Sequence, residues 1–196
     1  MVKKNKKGFF RENYSRCFSF LGEIKNFIWF SIIVFLLFIL IGYFFPVFFR
    51  KEIIDLIVNL MDKIKDYNMI QMIGYIIANN SWAAVISVVF GILFGIIPLG
   101  TIVFNGYLLG FVANYAVSQG GLIVLWKIFP HGIFELPAII LAVSMGIKLG
   151  TNFFRKDSNK IFRKDFGDTM RVFIFIIIPL LIIAGIIEGS LIFLTK

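Results

Sequence analysis

Apolar residues fill long, nearly unbroken runs separated by short polar segments, and the lengths of those runs decide the fold class. Phe27 to Phe49 is almost wholly apolar, long enough to cross a bilayer core of ~30 Å at ~20 residues per helical span. It exceeds a signal-peptide core and has no small-residue cleavage site beside it, so an uncleaved span is expected. Trp29 and Tyr43 stand near its two ends, where amphipathic rings anchor at the membrane interface. Residues 50 to 68 then change period. Glu52, Asp55, Asn59, Asp62 and Asp66 recur three or four apart, with Ile53, Leu56, Leu60 and Ile64 between them. That spacing predicts an amphipathic helix, lying on the outer membrane surface or over the outer ends of the spans.

Apolar character resumes from Met69 to Gln119, interrupted by Asn79 and Asn80, by Pro98, and by Asn105 with Gly106. Residues 82 to 119 measure about 57 Å as helix, slightly short of two passes of a ~30 Å core. Either residues from Met69 onward complete two spans, or the stretch forms a re-entrant hairpin. Residues 121 to 150 measure about 45 Å, too long for one untilted span, so a break is expected at Pro130, Gly132 and Pro137, with a short outer segment over 121 to 129 and the span over 131 to 150. Val172 to Leu194 supplies the last span, where Pro179 cannot donate to the carbonyl of Phe175. The expected fold is all-α, a polytopic helical membrane protein of about five segments with broken helices. A basic segment, 1 to 26, precedes one membrane domain, 27 to 196.

Composition and charge narrow this reading. Of 196 residues, 59% are hydrophobic and 16% charged, whereas a soluble domain carries about 25% charged residues. The net charge of +9 sits in blocks. Seven basic residues precede the first apolar run and seven more (Lys148, Arg155, Lys156, Lys160, Arg163, Lys164, Arg171) precede the last, leaving six elsewhere. Positive charge is retained on the cytoplasmic side, so residues 1 to 26 and the basic loop 151 to 171 are expected inside, and residues 50 to 68 and the C-terminus outside. The blocks also attract anionic lipid. No nucleic-acid motif accompanies them. The single cysteine, Cys17, gives neither an intramolecular disulfide nor a thiolate metal site, and no cofactor or metal is implied.

Two kinds of residue are candidates for function. Glycines form four GxxxG pairs, Gly91 with Gly95, Gly106 with Gly110, Gly146 with Gly150 and Gly185 with Gly189. Such pairs let helix backbones approach closely, within one chain or between copies in a homo-oligomer. Polar groups inside apolar runs are costly, about 2.5–3.5 kcal/mol for a charge at a span centre on insertion scales. His131, Glu135 and Glu188 stand out. His131 and Glu135 share a face of a helix, and Glu135 and Glu188 fall at similar depth under the charge-derived topology. Asn79, Asn80 and Asn114 belong to the same outer half, and Asn105 lies nearer the inner turn. These groups either pair to fix helix register or form a site for an ion, proton or polar ligand. With one His and no HExxH, zinc catalysis has too few ligands.

At these residues a family resemblance emerges. The run PHGIFELPAIILAVSMGIKLG, preceded by Asn105 and Gly106 and followed by IIEGSL around Glu188, resembles the stage II sporulation protein M family of integral membrane proteins. The core His-Gly-x-x-Glu-Leu-Pro-Ala is carried by His131, Gly132, Glu135, Leu136, Pro137 and Ala138. The resemblance implies a multi-span membrane protein without established catalysis that scaffolds partners, in the named member those of cell-wall remodelling during engulfment. Two functions remain to be weighed: a scaffold that organises other membrane proteins, and a transport component whose broken helices and intramembrane Glu residues hold a cation, proton or polar lipid group.

Overall fold

A computed structural model describes residues 8–154 and 158–195. Lys3, Lys4, Lys6, Lys7, Arg155, Lys156 and Lys196 of the basic count therefore lie outside the described residues. In lipid, an unpaired backbone amide or carbonyl has no water to turn to, so apolar runs of this length close all their hydrogen bonds as helix. Eight α-helices follow in the described chain: α1 Phe9–Glu23, α2 Lys25–Phe44, α3 Arg50–Ile64, α4 Met69–Val89, α5 Ile96–Gly120, α6 Leu125–Thr151, α7 Ser158–Val172 and α8 Ile178–Thr195. Five helical stretches are long and apolar enough to cross a membrane: α2, α4, α5, α6, and α7 continued into α8.

The re-entrant alternative for residues 82 to 119 does not occur. Met69 onward joins α4, whose 21 residues measure about 31 Å, and the 25 residues of α5 measure about 37 Å, each a full span. The Asn68 and Gln71 side chains cap the start of α4 reciprocally, each accepting from the other's backbone N–H at 2.9 Å, which satisfies two orphan donors. The break between α4 and α5 lies before Pro98. A 3₁₀ turn, Phe90–Ile92, runs into Phe94 and Gly95, both left-handed at φ 55° and 73°. Pro98 is the third residue of α5, where a missing N–H costs nothing because that donor has no intrahelical partner.

The expected break in the fourth span is also corrected: α6 runs for 27 residues, without interruption through Pro130, Gly132 and Pro137. An apolar surround offers the backbone no better alternative than helix, so the prolines remove single bonds without ending it. Pro179 behaves differently. Its lost donor coincides with a π-helical turn, Phe173–Ile177, which contains Phe175 and widens the helix at the entry to the last span. The basic loop expected over 151 to 171 is mostly helix, since α7 occupies its second half and runs straight into this turn.

Glycine contacts fix the direction of every span. A methyl group at Gly106 would meet the Phe35 carbonyl oxygen at 2.8 Å, and one at Gly110 that of Ile39 at 2.1 Å, so α2 and α5 are parallel. At Gly146 it would meet the Ser87 oxygen at 2.1 Å, and at Gly150 the Gly91 oxygen at 2.5 Å, so α4 and α6 are parallel. Gly185 meets Ile77 and Gly189 meets Ile73, so α8 opposes α4. Pro98 at the start of α5 meets Gly146 near the end of α6, and these two are antiparallel. All four glycine pairs are thus engaged inside the chain, the first of the two alternatives that the sequence leaves open.

The central helix is α6, with Ala138, Ala142, Val143, Met145 and Leu149 buried. One core joins it to α1, α4, α7 and α8 through Cys17, Phe20, Ala84, Val88, Val172 and Leu181. A second joins it to α2 and α5 through Phe35, Ile102 and Ile139. Across its α2 side, Ser144 and Ser31 hydroxyls hydrogen-bond at 3.0 Å. The close approaches give a contrast to measure. Gly146→Ala forces overpacking against backbone and is expected to cost about 1–3 kcal/mol or more. Gly100→Ala, with nothing within 4 Å of the added methyl, is expected to be neutral or to stabilise by about 0.5–1 kcal/mol. Reversible unfolding in detergent micelles checks both, and equal stabilities would contradict the packing.

Candidate functional site

The polar residues of the spans divide into two groups. Asn105 and Asn114 both lie on α5. Asn105 donates to the Thr101 carbonyl of its own helix at 2.8 Å, and Asn114 donates to the Tyr43 carbonyl at the end of α2 at 2.9 Å. Both tie up backbone oxygen on the α2–α5 side and neither joins the carboxylates. Asn80, Glu135 and Glu188 lie on α4, α6 and α8, which pack together. Asn80 and Glu135 are buried and Glu188 is half-buried, and each Glu holds a fully buried carboxylate oxygen. Asn79 is exposed although it neighbours Asn80, to whose oxygen it donates at 3.3 Å. The side chain of His131 lies outside the described residues, as does that of Pro130.

Helix register brings the carboxylates to one depth. Taken along α4, Gly146 is level with Ser87 and Gly189 with Ile73. Counting back along α6 puts Glu135 level with about residue 76, and one step along α8 puts Glu188 level with about residue 74, roughly 3 Å apart in depth at 1.5 Å per residue. Asn80 is about one turn nearer the end of the bundle that carries the basic blocks. Two acids and a carboxamide at a three-helix junction can share a proton or hold a small cation. Among the described residues no three His, Cys, Asp or Glu side chains group as a metal site.

A second buried polar cluster escaped the sequence reading, which counted Lys148 only as a loop charge. Lys148, near the end of α6, donates to Asn152 at 3.0 Å and pairs with Asp165 of α7. Asn152 also donates to Asp165 at 2.9 Å. Their exposures are 6% for Lys148, 3% for Asp165 and 0% for Asn152, so this ion pair is shielded from water. The signal was present in α7: Asp165 and Thr169 fall on the same helix face as Phe162 and Val172, the face that packs inward. Thr169 is fully buried, and among the described residues its hydroxyl has no hydrogen-bond partner.

Around this pair, α1 and α7 form a platform at the basic end. Arg171 donates to Asn13 at 2.9 Å and to Asp168 at 2.6 Å, and Lys164 reaches Glu23 at 2.7 Å. The bond to Glu23 raises the Lys164 pKa above its ordinary value. This contribution is therefore complete below the ordinary lysine pKa and disappears as pH climbs through the raised value. Cys17 is buried in the same contact, and burial pushes its thiol pKa up against the opposing field of Arg171. A cleft of about 450 Å³ separates the helices, lined by Arg16, Glu23, Lys164, Asp168 and Arg171 among others. Phe9, Phe10 and Tyr14 of α1 surround Phe175 of the π turn, which ties the platform to the last span.

Removing one partner of the buried pair leaves the other charge without compensation. Lys148→Met or Asp165→Leu is expected to destabilise the protein by about 3–5 kcal/mol, and the double substitution to recover most of that loss. Unfolding of the four proteins in a thermodynamic cycle measures this, and additive losses would show that the two side chains act independently.

The described geometry can be set beside known proteins. A family model described as Stage II sporulation protein M matches residues 31–191, from within α2 to within α8. No curated protein and no solved structure matches the chain.

Proposed function

This chain belongs to the stage II sporulation protein M family, and from that premise we propose that it is a non-enzymatic scaffold, embedded in the cell membrane, that organises other membrane proteins. The observation that carries the reading is the outward face of α4. Asn79 is exposed halfway along this span, beside Gly74, Ala78 and Trp82, which are exposed too. A methyl group at Gly74 would meet nothing within 4 Å. Small residues next to a carboxamide are what a second transmembrane helix packs against, because close backbone approach and an interhelical hydrogen bond replace the hydrophobic drive that lipid removes. A second copy or a different membrane protein fits this face equally.

Under the same proposal the platform of α1 and α7 is cytoplasmic and α3 external. Packing of α1 on α7 gathers basic residues of both blocks at one end of the bundle, and cytoplasmic retention of positive charge sets the orientation. The transport reading rests on the common depth of Glu135 and Glu188. It requires flux through the purified protein alone.

Three measurements separate these readings. Gly74→Leu and Asn79→Leu are expected to deplete membrane partners in a gentle-detergent pull-down while leaving unfolding unchanged; an unaltered partner set would remove the α4 face from the proposal. Reconstituted vesicles are expected to show no proton or sodium flux above empty ones, and flux abolished by Glu188→Gln would favour transport. Cysteines placed at Asn59 and Ser158 report orientation in intact cells with an impermeant thiol reagent. Labelling is expected at 59 and absent at 158, with Cys17 silent until the protein is unfolded, and the reverse pattern would invert the topology.

A further inference from the structure

At the end of the bundle opposite the platform, a cavity of about 200 Å³ lies between the turn after α2, the start of α3 and the last turns of α5. Its walls are held by specific bonds. The Tyr107 hydroxyl lies 2.7 Å from the Phe48 carbonyl and 3.0 Å from that of Phe45, so its proton fixes the turn that carries Pro46 and Val47. Phe49, the last residue of that turn, is left-handed at φ 54°, a conformation that persists only where surrounding contacts enforce it. Ile53, 2% exposed, packs on Tyr107 and Phe111 and seats the first turn of α3. Arg50 and Ile54, one turn apart, are thereby held against the cavity.

The lining is chemically one-sided. Arg50 is its only charged residue, and no ion pair engages Arg50 among the described residues. Asn114, Tyr115, Ser118 and Gln119 add neutral polar groups from α5. Ser118 already gives its proton to the Tyr115 carbonyl at 2.7 Å and Asn114 one amide hydrogen to the Tyr43 carbonyl at 2.9 Å, which leaves the Gln119 amide, the Tyr115 phenol and the second Asn114 N–H as the neutral donors. Val47, Ile54 and Phe111 form an apolar side. An acidic ligand is favoured by this set and a cation disfavoured. The level in the membrane identifies its source. Phe44, Phe45, Phe48 and Phe49 are 56–71% exposed beside the cavity, a density of bare rings that belongs where acyl chains meet headgroups. At about 200 Å³ the space is smaller than the ~300–1,000 Å³ of sites that enclose whole small molecules, and suits a headgroup whose chains stay outside.

We propose that this cavity binds the phosphodiester headgroup of a membrane phospholipid, with the Arg50 guanidinium holding the phosphate. A guanidinium meets two phosphate oxygens at once through parallel N–H donors, and the acyl chains descend along Val47 and Phe44.

Native mass spectrometry of the full-length protein in detergent tests this with dioleoylphosphatidylglycerol, with dioleoylglycerol as the phosphate-free counterpart, and with inorganic phosphate as competitor. The wild type is expected to retain the phospholipid and not the diacylglycerol. Arg50→Gln should weaken retention about ten-fold, the scale of a lost charged hydrogen bond, without changing the lipid-free unfolding temperature. Ser118→Phe, which fills the space without altering charge, should also release the lipid, whereas Lys51→Gln, one residue away and outside the lining, should not. Equal loss with Lys51→Gln would reduce the effect to diffuse surface charge and overturn the site. Equal retention of dioleoylglycerol would overturn phosphate recognition, and displacement of the lipid by equimolar inorganic phosphate would overturn a lipid source in favour of a free anion.

Discussion

Gly146 and Gly150 stand where the backbone of α6 comes so close to α4 and its exit turn that a methyl group at either position would lie 2.1–2.4 Å from the Ser87 oxygen or the Gly95 nitrogen. Lipid tails give no hydrophobic reward for helix association, so dispersion between surfaces this close is the attraction available. The rest of the bundle depends on that seam. It sets the depth of α6 against α4, and α8 takes its depth from Ile73 and Ile77 nearer the start of α4. The carboxylates of Glu135 and Glu188 reach similar levels as a consequence of these backbone contacts, three turns away from Glu135 along α6 and adjacent to Glu188 on α8. The left-handed pair Phe94 and Gly95 follows from the same constraint, because the chain must reverse at once to let Pro98 touch Gly146.

Two kinds of polar interaction then act on a frame already fixed by packing. Asn105, Asn114 and Ser144 each donate to backbone carbonyls, and such bonds stabilise modestly because a span that loses one finds another partner nearby. The ion pair of Lys148 with Asp165 is of another kind. Burying both charges carries a desolvation penalty that their attraction offsets only in good geometry, so the pair specifies one docking of α7 more than it stabilises the protein. That specificity matters for a platform, since α1 lies on α7 and its aromatic flank packs around Phe175 of the π turn.

The spans, the amphipathic helix over 50 to 68 and the gathering of positive charge into blocks were legible in the sequence because each depends on periodicity or composition along a contiguous stretch. The breaks were not. Proline reads as a breaker through its missing donor, yet Pro130 and Pro137 sit inside continuous helix, and Pro98 starts one. What decides is whether the freed carbonyl has any alternative to helix, which is a property of the surroundings. The glycine pairs were legible as close-packing positions but not as to partner, since a sequence cannot say whether the facing backbone belongs to the same chain. Lys148 was misread for the opposite reason. A lysine at a span end most often extends to water, and only the position of Asp165 on the inward face of α7 showed otherwise.

The two ends of the bundle are therefore built on different principles. At the platform end, cations already hold carboxylates: Lys148 with Asp165, Lys164 with Glu23, Arg171 with Asp168 and Arg16 with Glu12. Charge there is spent on holding helices together, and the cleft between α1 and α7 presents a nearly balanced lining. At the other end Arg50 stands over an apolar-sided cavity with no acid in its walls, and bare aromatic rings replace ion pairs around it. The fold thus separates an end where cations and carboxylates lock helices to one another from an end where a guanidinium without an ion pair among the described residues stands beside bare aromatic rings.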